Sequence, residues 1–317
     1  MISADLKTKI HQFKDSALEA SKILIVTHKN PDGDAIGSSL ALRIALRALS
    51  KQVEVAVIDS PPPELSFLPH FLKIKEEFAP DDFDLAIIVD CGGWSRTGFF
   101  VDDELHIDWP KNLIVIDHHP VQGLSPGLHL IDVTASSAAE IVFYILKEWG
   151  IVITREVALC LLTGLFTDTG GFKHANVNEQ VLRIAAELLA KGADINKITR
   201  SVYGNKKIAQ LKLWGKIINN LKINSEYGLV FSIVTQADLD EFGLTEDDVS
   251  GILDLIRGVI GTKASLLLSE KENEVRGSLR TKEADIDVSI LAVVFGGGGH
   301  IKAAGFSFLK SSLPPAS

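Results

Sequence analysis

The sequence predicts an α/β protein with a parallel sheet in its N-terminal half, because short apolar runs alternate there with segments of helical periodicity. The runs are apolar at consecutive positions, which is typical of strands with helices on both faces of a doubly wound sheet. Apolar residues at three- and four-residue spacing predict helices over 35–49, 138–149 and 156–166. The strand candidates are KILIVT (22–27), VEVAVI (53–58), DLAIIV (84–89) and NLIVI (112–116).

The rest of the chain predicts a helical connector and a second, smaller α+β domain. From about residue 179 to 221 the pattern is helical and contains no strand-like run. We therefore predict an N-terminal domain over 1–190, a connector over 191–222 and a C-terminal domain over 223–317. The C-terminal prediction rests on YGLVFSIV (227–234), KASLLLSE (263–270), EVRGSLRT (274–281) and the helical DDVSGILDLIRGVI (247–260).

Composition limits the possible functions. The chain has 317 residues, a net charge of -9 and two cysteines, Cys91 and Cys160, which lie far apart in apolar surroundings. The charge argues against a broad basic surface for long duplex nucleic acid, and the cysteines argue against a disulfide framework or a thiolate zinc site. The chain contains no long apolar run for a membrane and no signal-peptide pattern at the N-terminus, so we expect a cytoplasmic protein.

Acidic and histidine side chains follow three of the predicted strands, and a fourth cluster follows a predicted helix. In open α/β sheets, ligands bind beyond the carboxyl ends of the strands, so these side chains are expected to meet at one edge. A single aspartate at such a position is usually a helix cap or a turn residue, and that reading stays open for each one taken alone. The side chains are His28, Asp32, Asp34, Asp90, Asp117, His118, His119 and Asp168.

Carboxylates with imidazole and without thiolate favour manganese, and less often magnesium, iron or cobalt. The number of carboxylates exceeds the need of one ion, so we predict two ions about 3.5 to 4 Å apart that share a bridging carboxylate. Such a pair generates hydroxide from water at neutral pH and stabilises the charge on phosphorus-bound oxygens. Hydrolysis of a phosphate ester is the predicted chemistry.

Six blocks of the sequence carry a family resemblance. They are HKNPDGDAIGS (28–38), VDCGG (89–93), DHH (117–119), FTDTGGF (166–172), RGSLRT (276–281) and GGGGHIKAAGF (296–306). These blocks resemble the motifs of the DHH phosphoesterase superfamily with a DHH-associated C-terminal domain. Within it, the length and the pair of domains look most like the bifunctional oligoribonucleases and pAp phosphatases called nanoRNases. The resemblance implies an active site in the cleft between the two domains.

The resemblance also implies roles for the clustered side chains. Two Mn²⁺ ions per subunit, with Mg²⁺ or Co²⁺ as alternatives, would be bound, and Asp90 would bridge them. Asp117 would orient the neighbouring imidazoles and His119 would face the phosphate, both as catalytic residues. The metal ligands would be His28, Asp32 and Asp90 for one ion and Asp34, Asp90, His118 and Asp168 for the other.

In the C-terminal domain, alternate residues of a strand-like run share a face and could contact phosphate, as could backbone N–H groups of a glycine run. A solvated strand face and a simple glycine turn are the alternatives. Arg280 and His300 are also predicted to take part in catalysis. The predicted substrate contacts are Arg276, Ser278, Arg280, Gly297, Gly298, Gly299 and His300.

Two further polar residues carry open predictions. Arg96 could contact substrate or be solvated, and Gly93 stands where the family commonly has a polar residue. Asn176 could orient the phosphate or nucleoside, or cap the helix that begins near Asn178.

The family resemblance implies two kinds of substrate, short RNA, cut to mononucleotides, and pAp, cut to AMP. Phosphodiesterase activity on cyclic di-AMP or linear dinucleotides shares every motif and stays open. A pyrophosphatase or exopolyphosphatase would need more lysines and arginines near the site, and a nucleotide sensor without activity would lack a metal ligand. A homodimer is also open, since the helix after Ala138 offers an apolar face.

Overall fold

The computed structural model describes residues 2–99, 112–120, 127–204, 206–249, 251–271, 273–283 and 285–312. The chain forms two compact units, Met1–Asn205 and Lys206–Ser317. Each unit has its own sheet and its own apolar core.

A parallel sheet of six strands forms the centre of the first unit. Its strands are β1 (Lys22–Val26), β2 (Gln52–Ala56), β3 (Ile74–Lys75), β4 (Leu85–Val89), β5 (Asn112–Asp117) and β6 (Leu128–Ile131). They are arranged in the order β3-β2-β1-β4-β5-β6. Strands β2 and β3 thus lie on one side of β1, and β4, β5 and β6 lie on the other side.

Six α-helices belong to the described part of the first unit. They are α1 (Ala4–Glu19), α2 (Gly33–Ala48), α3 (Ala138–Trp149), α4 (Arg155–Asp168), α5 (Glu179–Ala190) and α6 (Ile195–Tyr203). Short 3₁₀ helices lie at Pro63–Leu65, Phe71–Lys73, Pro80–Asp82 and Trp94–Thr97.

Alternate residues of the strands face two different cores, as the pleat of a strand requires. Ile23 and Ile25 of β1 pack with the α-helices in the larger core. Leu24 and Val26 face the opposite way, into a smaller core whose other described members come from strands and connections, including Phe78, Phe83 and Phe99. The predicted α/β fold with a buried parallel sheet is confirmed. The apolar side chains of α1 to α6 pack in the larger core.

The apolar face of α3, which we considered as a surface for a homodimer, is covered by the first unit itself. The apolar residues of this helix, among them Ile141, Ile145 and Leu146, are buried in the core of the first unit. Helical periodicity identifies an apolar stripe but cannot tell whether the same chain or a second copy covers it. Within the described ranges, no helix combines the length and the apolar character needed to cross a membrane.

The second unit contains a mixed sheet of six strands. They are β7 (Lys222–Asn224), β8 (Leu229–Val234), β9 (Ala264–Lys271), β10 (Glu274–Arg280), β11 (Gly298–His300) and β12 (Ala303–Leu309). Their order is β11-β12-β10-β9-β8-β7, and all pairs are antiparallel except β8 with β9. The helices described in this unit are α7 (Ile208–Asn219), α8 (Gln236–Phe242), α9 (Ile252–Ile256) and α10 (Val288–Val294), with 3₁₀ turns at Glu246–Val249 and Lys310–Ser312.

The predicted smaller α+β domain is confirmed, with additional elements that the sequence pattern did not indicate. The glycine-rich segment 296–306 contains β11 and the start of β12, whereas the sequence pattern left open a phosphate-binding run or a simple turn and indicated no strand. Glycine has a low strand propensity, so the pairing of β11 with β12, and of β12 with β10, decides this structure. The segment predicted as a connector contains α6, which lies in the first unit, and α7, which lies in the second.

Helices α2 and α4 pack so closely that a methyl group does not fit between them. A Cβ atom placed on Gly37 would lie 2.5 Å from the carbonyl oxygen of Cys160 and 3.0 Å from the backbone nitrogen of Gly164. These are backbone atoms of α4, which cannot rotate away as a flexible side chain would. Gly37 therefore sets the distance between the two helices.

We expect Gly37→Ala to lower the free energy of unfolding of the first unit by about 1 to 2 kcal/mol, because overpacking outweighs the gain in helix propensity of at most about 1 kcal/mol. Gly215→Ala in α7 is the matched control. No atom lies within 4 Å of a Cβ at Gly215, so this change should raise stability by about 0.5 to 1 kcal/mol. Urea unfolding of both variants measures the two effects, and equal stabilisation by both would contradict the close packing.

Candidate metal centre

The candidate site lies at the carboxyl edge of the first sheet, where the strand order reverses between β1 and β4. In open α/β sheets this reversal leaves a crevice that commonly binds ligands. His28 follows β1, Asp90 follows β4 directly, and Asp117 is the last residue of β5. The fold brings the ends of these strands together, as the sequence pattern predicts.

Asp90 is the central residue of this cluster. Its backbone has a φ of 56°, in the left-handed region that is uncommon for residues other than glycine. The carboxylate is 2% exposed, with Oδ2 3.9 Å from Nε2 of His28 and Oδ1 3.4 Å from Nε2 of His118. Oδ1 is buried and accepts no hydrogen bond from the residues that the structure describes. The two oxygens of Asp90 thus face two different histidines.

Among the residues that the structure describes, three overlapping groups of side chains could each hold a metal ion. In every group the potential ligand atoms lie within 4.8 Å of one another. Asp90 belongs to two of the groups and His118 to two. The groups are His28 with Asp32 and Asp90, Asp34 with His118 and Asp168, and Asp90 with His118 and His119.

Asp32 and Asp34 lie at the start of α2 but have different surroundings. Asp32 is the N-cap of the helix, and its Oδ1 accepts from the N–H of Asp34 at 2.9 Å and of Ala35 at 3.1 Å. Asp34 is fully buried, and its carboxylate accepts from the N–H of Ala138 at 2.6 Å and of Ala139 at 2.9 Å. These two donors form the first turn of α3, so its positive end faces the Asp34 carboxylate.

Asp117 fixes the polypeptide around Asp90 and His119. Its Oδ2 accepts from the N–H groups of Cys91 and Gly92, at 2.9 and 2.5 Å. Its Oδ1 accepts from the N–H of His119 at 2.9 Å and lies 2.7 Å from the Nδ1 of that ring. Burial raises the pKa of Asp117, but the bonds and charge of His119 and the N–H of Gly92 outweigh it and lower the pKa to about 2.

Three other carboxyl groups have raised pKa values because they are buried close together. Burial raises the pKa of Asp90 well above its ordinary value, and the charges of Asp34 and Asp32 add to this effect. Burial followed by the charge of Asp34 raises the pKa of Asp168 to about 8. Burial also raises the pKa of Asp34, against the opposing charge of His118. Nearby cations would stabilise all three ionised groups.

The residues present fit a divalent cation. The donor set consists of carboxylates and imidazoles without thiolate, which suits manganese and other oxygen- and nitrogen-binding ions. The buried Oδ1 of Asp90 is an acceptor that a cation would satisfy. Divalent metal use is the chemistry that these groups support.

Helix α3 contributes the N–H groups of Ala138 and Ala139 to the site, which was not predicted from the sequence. The sequence feature that indicates the start of this helix is the segment SSAAE (136–140). Ser137 caps the helix, and its hydroxyl accepts from the N–H of Glu140 at 3.1 Å. A serine followed three residues later by glutamate marks a helix start, whose N–H groups suit an anion. Which anion they meet depends on tertiary structure.

Arg96 and Asn176 differ in how they relate to the site. Arg96 is exposed, and its Nη1 lies 2.8 Å from where a Cβ on Gly92 would be. Asn176 donates from Nδ2 to the carbonyl of Ser136 at 3.0 Å and to that of Asp168 at 3.4 Å. It does not cap α5, whose N-cap is Asn178.

The predicted arginine contacts lie on β10 of the second unit. Arg276, Ser278 and Arg280 occupy alternate positions of this strand and thus share one face. Arg276 is exposed and lies 3.4 Å from a carboxylate oxygen of Glu246, and Arg280 donates to the carbonyl of Leu279 at 2.9 Å.

The glycines predicted to cradle a phosphate form a turn and an edge strand. The N–H of Gly297 donates to the carbonyl of Ala292 at 2.8 Å, so it is engaged within the unit. Gly298 and Gly299 belong to β11, at the edge of the sheet. A Cβ on Gly297 would collide with the backbone of β12, so close strand packing also requires glycine there. The side chain of His300 lies outside the described part of the structure.

Comparison with known proteins gives matches over both units. A model of the DHH family N-terminal domain matches residues 22–165, and a model of the DHHA1 domain matches residues 226–314. The bifunctional oligoribonuclease and PAP phosphatase NrnA of Thermus thermophilus is 33% identical over 93% of this chain and 86% of its own length. The protein of the same name from Bacillus subtilis is 28% identical over 90% of this chain and 88% of its own length.

Among solved structures, an exopolyphosphatase-related protein from Bacteroides fragilis is similar over nearly the whole chain. It has a TM-score of 0.89 and 31% sequence identity, over 95% of this chain and 91% of that one. These matches confirm the family that the six sequence blocks resemble. The chain therefore belongs to the DHH family, and its C-terminal part is a DHHA1 domain.

Proposed function

We propose that this protein is a two-metal phosphoesterase that hydrolyses short oligoribonucleotides to mononucleotides and pAp to AMP. The observation that carries the proposal is the placement of Asp90, whose two buried oxygens face His28 on one side and His118 on the other. A carboxylate shared by two groups of ligands is the arrangement that a two-metal site requires.

The proposed ligands come from two of the three groups, one that contains Asp90 and His28 and one that contains Asp34, His118 and Asp168. His118 links the second group to Asp90, whose Oδ1 lies 3.4 Å from its Nε2. Two cations at these groups, Mn²⁺ or alternatively Mg²⁺ or Co²⁺, would supply hydroxide at neutral pH and stabilise charge on the phosphoryl oxygens. His28, Asp32 and Asp90 would hold one cation, and Asp34, Asp90, His118 and Asp168 the other. The chain itself supplies an anionic cluster in which Asp34 and Asp90 are buried, Asp168 is half-buried and Asp32 is exposed.

Asp117 and His119 are proposed to act on the phosphate together. Asp117 lies 2.7 Å from Nδ1 of His119, which fixes the orientation of the ring, and its low pKa keeps it ionised at neutral pH. An ionised partner favours the tautomer that carries its proton on Nδ1. We propose that His119 meets a phosphoryl oxygen from this fixed position.

The choice of substrates rests on the relatives. The proteins from T. thermophilus and B. subtilis are named for activity on oligoribonucleotides and PAP, and we extend both substrates to this chain. Small substrates agree with the net charge of -9, which disfavours a long basic track for nucleic acid. For the second unit, we propose that Arg276, Ser278, Arg280, Gly297, Gly298, Gly299 and His300 bind phosphate groups of the substrate.

A direct assay compares Mn²⁺-dependent hydrolysis of pAp, RNA of two to five nucleotides, linear and cyclic di-AMP, and pyrophosphate by the same preparation. We expect turnover of pAp and short RNA, and none after EDTA treatment until Mn²⁺ is restored. The pyrophosphate arm is included because a similar solved structure is described as exopolyphosphatase-related. Activity on pyrophosphate alone would overturn the proposed function.

Asp90→Asn is expected to lower kcat/KM for both substrates by more than about 100-fold, because loss of an outer partner of a metal site alone costs about 10- to 100-fold. Asp84→Asn is the matched control. Asp84 lies just before the same strand at its opposite end, is exposed, and accepts from the N–H groups of Ser21 and Lys22 at 2.8 Å. Asparagine retains an acceptor there, so activity should be unchanged. Equal activity of both variants would contradict the bridging role of Asp90.

Asp117→Asn is expected to lower kcat by about 10- to 100-fold while Mn²⁺ still stabilises the protein against heat. Asparagine has one acceptor oxygen and one NH2 donor in place of the two carboxylate oxygens. Either His119 or the N–H groups of Cys91 and Gly92 therefore lose their acceptor. Asp132→Asn is the control, because this half-buried aspartate also closes a turn after a strand, accepting from the N–H of Thr134 at 2.9 Å. Full activity of Asp117→Asn in steady-state assays would refute the proposed role.

A further inference from the structure

Ser136 precedes the N-cap of α3 and is held through all of its polar groups. Its N–H and its hydroxyl both donate to Oε2 of Glu140 at 2.8 Å, and its carbonyl accepts from Nδ2 of Asn176 at 3.0 Å. Ser136 is fully buried and Glu140 is 6% exposed, so these bonds form in a region of low dielectric and are hard to replace by water.

This arrangement determines where the first turn of α3 points. Ser136 is separated from Ala138 and Ala139 only by the N-cap Ser137, and the N–H groups of these two alanines are the donors that hold the carboxylate of Asp34. A small rotation of the helix start would withdraw both donors. Within the described part of the chain, the Asp34 carboxylate accepts hydrogen bonds from these two N–H groups and from the hydroxyl of Ser38.

Asn176 also reaches a second ligand of the same group. Its Nδ2 donates to the carbonyl of Asp168, the last residue of α4. One exposed amide therefore joins the start of α3 to the end of α4. Helix α5 is capped by Asn178, so capping of this helix does not explain the hydrogen bonds of Asn176.

We propose that Glu140 and Asn176 are positioning residues of the metal centre, because through Ser136 they aim the α3 donors at Asp34 while Asn176 fixes the α4 end that carries Asp168. The inference rests on the proposed function only in taking Asp34, His118 and Asp168 as one metal-binding group. Neither residue touches substrate. Outer partners of this kind set the orientation of ligands and hence the affinity for the metal.

The test is a calorimetric titration of Mn²⁺ into metal-free protein, with Asn176→Ala compared with Asn178→Ala. Asn176→Ala should weaken binding at one of the two sites by about 10-fold. Asn178→Ala removes the cap of α5 two residues away, so it should lower the melting temperature of the metal-free protein by about 2 to 4 °C and leave Mn²⁺ affinity unchanged. The two neighbouring asparagines are thus expected to affect different measurements.

Glu140 provides a second, independent variant. Glu140→Gln keeps an acceptor oxygen for Ser136 and should bind Mn²⁺ within about threefold of the wild type, whereas Glu140→Ala should lose about as much affinity as Asn176→Ala. Wild-type affinity in Asn176→Ala, or equal loss in Asn176→Ala and Asn178→Ala, would overturn the inference. If the wild type binds Mn²⁺ but hydrolyses none of the substrates, the proposed function fails and the titration still decides the inference.

Discussion

The burial of the Asp90 carboxylate among other acids is the constraint on which the rest of the site depends. An ionised carboxylate in a region of low dielectric is costly, and Asp34, Asp117 and Asp168 add like charges around it. The backbone at Asp90 is also in the left-handed region, and its N–H is held by the carbonyl of Ile116 at 2.9 Å. The parallel pairing of β4 with β5 fixes this conformation.

The protein stabilises these acids in two different ways. Asp34 and Asp117 receive backbone N–H groups, which are fixed donors that need no reorganisation. Asp90 and Asp168 instead face imidazole rings at 3.4 to 3.6 Å. The first pair is satisfied by the fold itself. The second pair depends on groups whose charge can change, and a cation would satisfy it.

Glycines allow close contacts between helices α2 and α4 at two positions in the first unit. Gly37 allows α2 to touch α4, and a Cβ on Gly164 would lie 2.5 Å from Oδ1 of Asp34. The same helix pair therefore sets both the core packing and the surroundings of a candidate ligand. A change in helix spacing would be transmitted to the site without any change in its polar residues.

Much of the fold and of the site could be predicted from the sequence. Runs of apolar residues identified β1, β2, β4 and β5, and the family motifs singled out the clustered acids and histidines, because both signals are local in the chain. Local patterns could not identify β11 and β12, since their glycines are strands only through pairing. For the same reason, the apolar stripe of α3 could not be assigned to the core, nor its N–H groups to Asp34. The sequence by itself determined which chemical groups are present and at which strand ends they lie. Only the tertiary structure decided which atoms meet, because Asp34 and Ala138 are distant in the chain and adjacent only after α2 and α3 pack.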